Sequence, residues 1–223
     1  MTSRAIVALF ALAAVAALAL AAPTLAQRAD QPSLGFIRVR LDTAAGPIIL
    51  ALDAKHAPRT TANFLAYVDD GRLDGTAFYR AARNKYAPKA GFVEGGIGSD
   101  RRRSLDPVAL EPTNITGLRH IGATVSMARD AAPNSATGDF SLLVGPSPQL
   151  DARAGKPGYA AFGRVVAGMD TVKRILAAAT AGGSGAMKGE MIVRPVTIGR
   201  AQRIDGTPHP TGGPKPWLFT FRR

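Results

Sequence analysis

The chain has 223 residues, a formal net charge of +12 and no cysteine. This length is enough for one ordinary domain with a full hydrophobic core, and the lack of cysteine excludes disulfides and thiolate chemistry. The charge permits nucleic acid, an anionic membrane surface or acidic partners. However, the basic residues are scattered, with Arg101, Arg102 and Arg103 as the one tight cluster, and aromatic residues make up only 6%. We therefore expect a soluble basic surface and no nucleic-acid partner.

The first 26 residues have the pattern of a secretory signal peptide. Arg4 supplies a short positive start, an almost wholly apolar stretch runs from Ala5 to Ala22, and Pro23 breaks it shortly before Ala26. This pattern predicts export, cleavage after Ala26, no stable membrane insertion afterwards and a periplasmic location. The alternative is an uncleaved membrane anchor, because the apolar stretch is about long enough to span a bilayer.

The mature chain begins with a predicted flexible leader, residues 27–35, followed by a hairpin. Alternating apolar and basic residues over 36–41 and an apolar run over 47–52 predict two strands around a turn at 44–46. Pro58 suits the first turn of a helix over residues 59–69. That helix would bury Phe64, Tyr67 and Val68, which have helical spacing.

A third strand, residues 76–80, ends in an arginine. Asp74 and Gly75 supply the turn that precedes it, because glycine tolerates positive φ. Strict strand alternation would place Thr76, Phe78 and Arg80 on one face. The sequence therefore predicts a rigid fork of hydrogen-bond donors at the edge of an apolar surface.

Short strands are predicted at residues 123–127, 140–144, 160–165, 191–193 and 196–204, with a second helix at about 170–179. Many short strands, two helices and glycine-rich connections indicate a mainly β fold, an antiparallel barrel capped by helices. Residues 205–223 form a Pro/Gly-rich C-terminal extension. Its apolar part, residues 217–221, is expected to fold back as an added strand or, alternatively, to dock a partner.

Four segments in this order resemble the cyclophilin family of peptidyl-prolyl cis-trans isomerases. They are residues 57–64 (APRTTANF), 74–80 (DGTAFYR), 122–129 (GATVSMAR) and 162–170 (FGRVVAGMD). The resemblance covers residues 36–204 and implies a closed eight-stranded antiparallel barrel capped by two α-helices, with a groove on its outer face. It also implies isomerisation of X-Pro bonds without a metal or other cofactor, and Arg80 as the catalytic residue.

Departures from the family pattern fall in the groove. The resemblance implies substrate contacts for seven residues: Phe92, Glu94, Met127, Ala128, Asp139, Leu150 and Tyr159. Glu94 and Asp139 stand where the family has glutamine, and Tyr159 stands where many members have histidine. Ser141 replaces a pocket phenylalanine and Gln149 replaces a common tryptophan. Phe92 is displaced by one position from the family's phenylalanine and is expected to turn into the pocket.

Glu94 decides how active the groove is expected to be. A glutamate there could hold Arg80 with two charge-assisted hydrogen bonds, which would orient the guanidinium or neutralise the charge that the transition state uses. We therefore expect weakened but retained catalysis. Alternatively, Glu94 points to solvent, and Arg80 is a surface strand arginine paired with a carboxylate. Asp139 is expected at the pocket edge or, otherwise, in a cap or turn.

Other chemistry has little support in the sequence. His56, His120 and His209 have no ligand-like spacing, and Ser126 is interpreted as strand filling, because no nucleophile motif surrounds it. We predict a monomeric isomerase that acts on proline-containing segments during the folding of exported proteins. The alternatives are a binding module for such segments with little or no catalysis, and a binder of anionic surfaces through Arg101, Arg102 and Arg103.

Overall fold

The part of the chain that the computed structural model describes, residues 35–98 and 100–218, contains nine antiparallel strands, three α-helices and four short 3-10 helices. The predicted signal peptide and most of the leader lie outside these residues. The strands are β1 (Phe36–Thr43), β2 (Gly46–Asp53), β3 (Thr76–Arg83), β4 (Gly91–Gly96), β5 (Thr124–Met127), β6 (Phe140–Val144), β7 (Ala161–Ala167), β8 (Thr180–Ala181) and β9 (Met191–Arg203). The helices are α1 (Pro58–Asp69), α2 (Thr113–Thr116) and α3 (Met169–Leu176).

Eight of the strands close into a barrel. They are hydrogen-bonded in the order β1-β2-β7-β5-β6-β4-β3-β9, and β9 pairs back with β1. The two-residue strand β8 adds only to the start of β9, where Thr180 pairs with Ile192. The prediction of a closed eight-stranded antiparallel barrel is confirmed.

Two longer helices pack on the barrel, and aromatic rings fill the contact with the first. Phe64 of α1 meets Phe140 and Phe162 with ring centroids 5.1 and 5.4 Å apart. Helix α1 buries Phe64, Tyr67 and Val68 as its sequence spacing predicts. Helix α3 packs against β2, β3, β4 and β6 and ends at Leu176, earlier than predicted. In the described residues, no helix is long and apolar enough to cross a bilayer.

The predicted alternation along β3 is wrong. Phe78 pairs with Gly95 and Arg80 pairs with Glu94, so Tyr79 is an extra residue opposite a single step of β4. Such a β-bulge reverses the inward and outward alternation beyond it. Phe78 is therefore fully buried in the core, whereas Arg80 lies half-buried on the outer face.

The predicted strand at the C-terminal end is also wrong for the described residues. Trp217 lies in a single 3-10 turn, Pro216–Leu218, and is 5% exposed. The guanidinium groups of Arg72 and Arg103 contact its ring at 4.7 and 5.5 Å from the centroid. These cation–π contacts hold the indole against the barrel, and Pro216 lacks the N–H that a strand ladder needs. Residues 219–221 of that predicted strand lie outside the described residues.

The arginine cluster has structural partners. Arg103 donates to the carbonyl oxygens of Arg72 and Asp74 at 2.8 and 2.9 Å. Arg102 pairs with Asp100 at 2.8 Å. Because Asp100 pairs with both Arg102 and Arg103 and Arg103 is also bonded into the fold, the cluster offers an anionic surface fewer free donors and less net charge than its sequence suggests.

Candidate active site

Arg80 lies between two carboxylates on the outer face of the barrel. Its Nη1 donates to Glu94 Oε2 at 2.9 Å, and its Nε donates to Glu190 Oε2 at 2.8 Å. Its Nη2 lies 2.7 Å from the same Glu190 oxygen and donates to the Ala186 carbonyl at 3.3 Å. Burial acts to lower the pKa of Arg80, but the bonds and charges of Glu190 and Glu94 outweigh it and raise that pKa. The guanidinium is therefore charged, oriented and electrostatically balanced by its neighbours.

An aromatic ring supports the same guanidinium. The Arg80 guanidinium carbon is 5.1 Å from the centroid of the Phe92 ring, within cation–π range. Phe92 is on β4, which pairs directly with β3. Two of the predicted site residues, Phe92 and Glu94, thus both contact a third, Arg80.

Glu94 is buried, with 9% of its side chain exposed, so it does not point to solvent. It holds Arg80 through one oxygen, Oε2, and its Oε1 accepts a hydrogen bond from the Tyr79 hydroxyl at 3.0 Å. The two-bond grip on Arg80 is therefore not formed, because Tyr79 takes the second oxygen. The β-bulge makes this possible, since it directs the adjacent residues Tyr79 and Arg80 to the same carboxylate.

Asp139 continues the network. Its Oδ1 accepts from the Gly98 backbone N–H at 2.8 Å, and it lies close enough to Tyr79 for the two side chains to influence each other's pKa. Burial raises the pKa of Asp139 to about 6, helped by the negative charges of Glu94 and Asp130 and opposed by the Gly98 and Tyr79 bonds. Burial and the charges of Asp139 and Glu94 also raise the pKa of Tyr79.

A groove of about 1030 Å³ opens beside this network. Three predicted site residues line it, namely Glu94, Ala128 and Asp139. The other lining residues are Tyr79, Ile97, Gly98, Arg101, Ser104, Leu105, Asp106, Pro107, Arg129, Asp130, Ser135, Thr137, Met187 and Met191. Apolar patches interrupted by charged groups can take an extended polypeptide, whose side chains and backbone need both kinds of contact.

Two further predicted residues meet at the edge of the groove. The Tyr159 backbone N–H donates to the Leu150 carbonyl at 3.0 Å. The guanidinium carbon of Arg129, a groove residue, lies 4.7 Å from the centroid of the Tyr159 ring. Arg129 thus links Leu150 and Tyr159 to the groove, a role that its sequence position did not reveal.

Met127 and Ser141 fall elsewhere. Met127 is 2% exposed and belongs to the hydrophobic core, so its side chain does not line the groove, although the next residue, Ala128, does. The reversal of direction between successive strand residues accounts for this difference. Ser141 pairs with Glu94 across the sheet, and its small side chain leaves no aromatic wall there.

Sequence reasoning also missed a buried chain of Asp, His and Ser. Asp151 Oδ1 lies 2.7 Å from His120 Nδ1, and His120 Nε2 lies 2.8 Å from Ser126 Oγ. His120 and Ser126 are 1% and 3% exposed, and burial lowers the pKa of His120. A substrate cannot reach Ser126, so these bonds hold the 119–122 and 150–152 loops to β5. In the described residues, no group of three or more His, Asp or Glu is placed to hold a metal ion.

Glu190 is a direct contact of Arg80 that the sequence analysis did not find. It precedes β9 and is distant from Arg80 in the sequence. No local motif marks it, because its position depends on the pairing of β9 with β3.

Comparisons with known proteins agree with the resemblance. Residues 36–202 match the family described as "Cyclophilin type peptidyl-prolyl cis-trans isomerase/CLD". A peptidyl-prolyl cis-trans isomerase of Streptomyces antibioticus is 38% identical over 167 residues, which cover 74% of this chain and 96% of the relative. Isomerase A of Dickeya dadantii is 40% identical over 141 residues, covering 61% and 70% of the two chains.

A solved structure shares the fold. A cyclophilin-type isomerase of Cryptosporidium parvum, determined in the presence of the dipeptide Ala-Pro, superposes with a TM-score of 0.61. The aligned region is 19% identical and covers 76% of this chain and 99% of the other.

The raised pKa of Asp139 predicts a pH-dependent cost to stability. The folded-state pKa of about 6 exceeds the ordinary value of 3.8, so the folded protein binds this proton more tightly than the unfolded chain does. The stability that the folded protein gains from protonated Asp139 is therefore fully present below about pH 4 and is lost as the pH rises through 6. We expect Asp139→Asn to gain up to about 3 kcal/mol of unfolding free energy relative to the wild type between pH 4 and pH 7.

Urea denaturation of both proteins at pH 4, 5, 6 and 7 measures this difference. Asp170→Asn is the matched control, because Asp170 is an exposed carboxylate on α3. A difference between Asp139→Asn and wild type that does not change with pH would contradict a raised Asp139 pKa.

Proposed function

The chain belongs to the cyclophilin family and is a peptidyl-prolyl cis-trans isomerase, and on this premise we propose that it accelerates X-Pro isomerisation in exported proteins, with Arg80 as the catalytic residue. The observation that supports this assignment is the Arg80 guanidinium, held on the outer face next to a groove of about 1030 Å³. Family membership favours an isomerase over a binding module without catalysis.

The reaction requires only rotation about one bond. Amide resonance gives a barrier of about 18–20 kcal/mol, and catalysis consists of binding the twisted amide better than the planar one. As the amide twists, its nitrogen regains a lone pair that can accept a hydrogen bond. A guanidinium N–H of Arg80 donates that bond, while the groove holds the flanking chain. Rotation of a carbon–nitrogen bond transfers no electrons and no chemical group, so the reaction itself requires no cofactor.

The two glutamates set the strength of this donor. Glu94 and Glu190 contribute two negative charges against the single positive charge of Arg80. An N–H that already bonds a carboxylate is a weaker donor to a neutral nitrogen. We therefore propose that this isomerase is slower than one whose arginine faces a neutral amide.

Export is supported by the N-terminal pattern. Residues 1–26 combine a positive start, an apolar stretch and small residues at the end, and the chain has no cysteine. A prolyl isomerase exported this way would act on chains that fold after translocation, where uncatalysed isomerisation takes tens to hundreds of seconds. Its partners are extended proline-containing segments, and it is proposed to act as a periplasmic monomer.

Arg80→Ala should abolish most of the catalysis. Loss of a hydrogen bond from a charged donor is expected to lower kcat/KM by about 10- to 100-fold. Arg80→Lys should recover part of the activity, because lysine retains the charge without the planar fork. The measurement is cis-to-trans isomerisation of X-Pro peptides, with Arg164→Ala on β7 as an exposed-arginine control. Full activity in folded Arg80→Ala would refute the assignment of Arg80.

Glu94→Gln should raise activity. Glutamine preserves an acceptor for Arg80 and a partner for Tyr79 but removes one negative charge, so we expect kcat/KM to rise by about three- to tenfold. Asp170→Asn again serves as the control, because Asp170 is an exposed carboxylate on α3 that does not line the groove. If the peptide assay finds Glu94→Gln unchanged or slower, Glu94 does not weaken Arg80.

Export has its own test. The full chain, expressed in a Gram-negative bacterium, should accumulate in the periplasmic fraction with Gln27 as its first residue. N-terminal sequencing and fractionation measure this outcome, with a variant that lacks residues 2–26 as the cytoplasmic control. A product that retains Met1 in the membrane fraction would support the uncleaved anchor instead.

A further inference from the structure

The segment before β9 places a carboxylate on the donor fork of Arg80. This segment, residues 182–190, is called the strap. Arg80 Nε donates to Glu190 Oε2 at 2.8 Å, and Nη2 lies 2.7 Å from the same oxygen. The strap also supplies the Ala186 carbonyl, which accepts from Nη2 at 3.3 Å. With Glu94 on Nη1, all three nitrogens of Arg80 contact protein oxygens.

The backbone of Glu190 is held in place by the sheet. Its carbonyl accepts from the Ala81 N–H at 2.9 Å, and the next residue, Met191, pairs with Arg80. The strap is also closed on itself, because Gly189 N–H donates to the Gly182 carbonyl at 2.5 Å. The Glu190 carboxylate is therefore directed at Arg80 by a fixed backbone, and the contact does not depend on a long flexible segment.

The Glu190 side chain is nevertheless partly in water. It is 29% exposed, compared with 9% for the Glu94 side chain on the other side of Arg80. Met187 and Met191 flank Glu190 in sequence and line the groove. Arg80 and Glu190 do not themselves line the groove, but Met191 pairs with Arg80 in the sheet and directly follows Glu190. A chain that lies in the groove beside Met191 is therefore next to both residues. The exposed carboxylate can rotate away into water, whereas the buried Glu94 cannot do so without losing its bond to Tyr79.

We propose that Glu190 competes with the substrate for Arg80, so that the strap sets how tightly the groove binds a proline-containing segment. This inference rests on the proposed role of Arg80. One carboxylate oxygen takes the converging Nε and Nη2 donors, which are the donors that a substrate oxygen or nitrogen would use. Each binding event must first displace the carboxylate, and the apparent affinity falls by the fraction of time that the fork is open.

A competing group and a positioning group differ in their kinetic effects. If Glu190 competes, its removal lowers KM and leaves kcat unchanged, because the bound complex already has the carboxylate displaced. If Glu190 instead holds Arg80 in the productive orientation, its removal lowers kcat.

The experiment compares Glu190→Ala and Glu190→Gln with the wild type and with Lys188→Ala. Lys188 is an exposed strap residue, so its variant tests whether any change in the strap has the same effect. Isomerisation of an X-Pro peptide gives KM and kcat, and fluorescence titration with the same peptide labelled with a fluorophore gives Kd. For Glu190→Ala we expect KM and Kd to fall by about tenfold and kcat to stay within about twofold of wild type, since one charge-assisted competitor is lost.

The KM and Kd of Glu190→Gln should lie between those of the wild type and Glu190→Ala, because glutamine still accepts a hydrogen bond but carries no charge. A lower kcat with unchanged KM, or an unchanged Kd in Glu190→Ala, would overturn the proposal. The fluorescence titration measures binding without catalysis, so it separates a failure of this proposal from a failure of the proposed function. If neither wild type nor variant accelerates isomerisation, the role of Arg80 fails, and the Kd ratio still decides whether Glu190 blocks binding.

Discussion

The β-bulge at Tyr79 is the feature on which the arrangement of the site depends. Without an extra residue between Phe78 and Arg80, strand alternation would direct the guanidinium toward the core beside Phe78. An uncompensated guanidinium is not tolerated among the Phe64, Phe140 and Phe162 rings. The bulge places the aromatic ring inside and the cation outside within three residues. It also brings Tyr79 to the oxygen of Glu94 that Arg80 does not use.

The site is controlled by its charge balance. Arg80 is the only cation in direct contact with Glu94 and Glu190 among the described residues, while Asp139 adds a third carboxyl to the same groove. The three carboxyls differ in burial, and burial determines how firmly each is held and whether its pKa is raised. Glu94 is buried and held by two partners, Asp139 has its pKa raised to about 6 by burial, and Glu190 remains partly in water. A neutral amide in place of Glu94, which stays bonded to Arg80 when Glu190 is displaced, would leave Arg80 a stronger donor.

Several elements were predictable because their signals are local. Helix α1 follows from Pro58 and from apolar residues at helical spacing, and the β1–β2 hairpin follows from two apolar runs around a short turn. The barrel and the assignment of Arg80 came from the resemblance of four short segments to one family. The errors have causes that a local pattern does not contain. A bulge cannot be inferred from the alternation of apolar and polar residues, and the turn at Trp217 depends on Arg72 and Arg103, which are distant in sequence.

The amino-acid sequence by itself determined the fold class, the family and the chemical groups of the groove, because these depend on periodicity, turn residues and motif order. Only the tertiary structure decided which carboxylates reach Arg80. Glu94 arrives through the pairing of β4 with β3, and Glu190 arrives through the pairing of β9 with the same strand, 110 residues away in sequence. Contacts of this kind depend on strand register in a closed barrel, where one residue of shift would exchange the inner and outer faces.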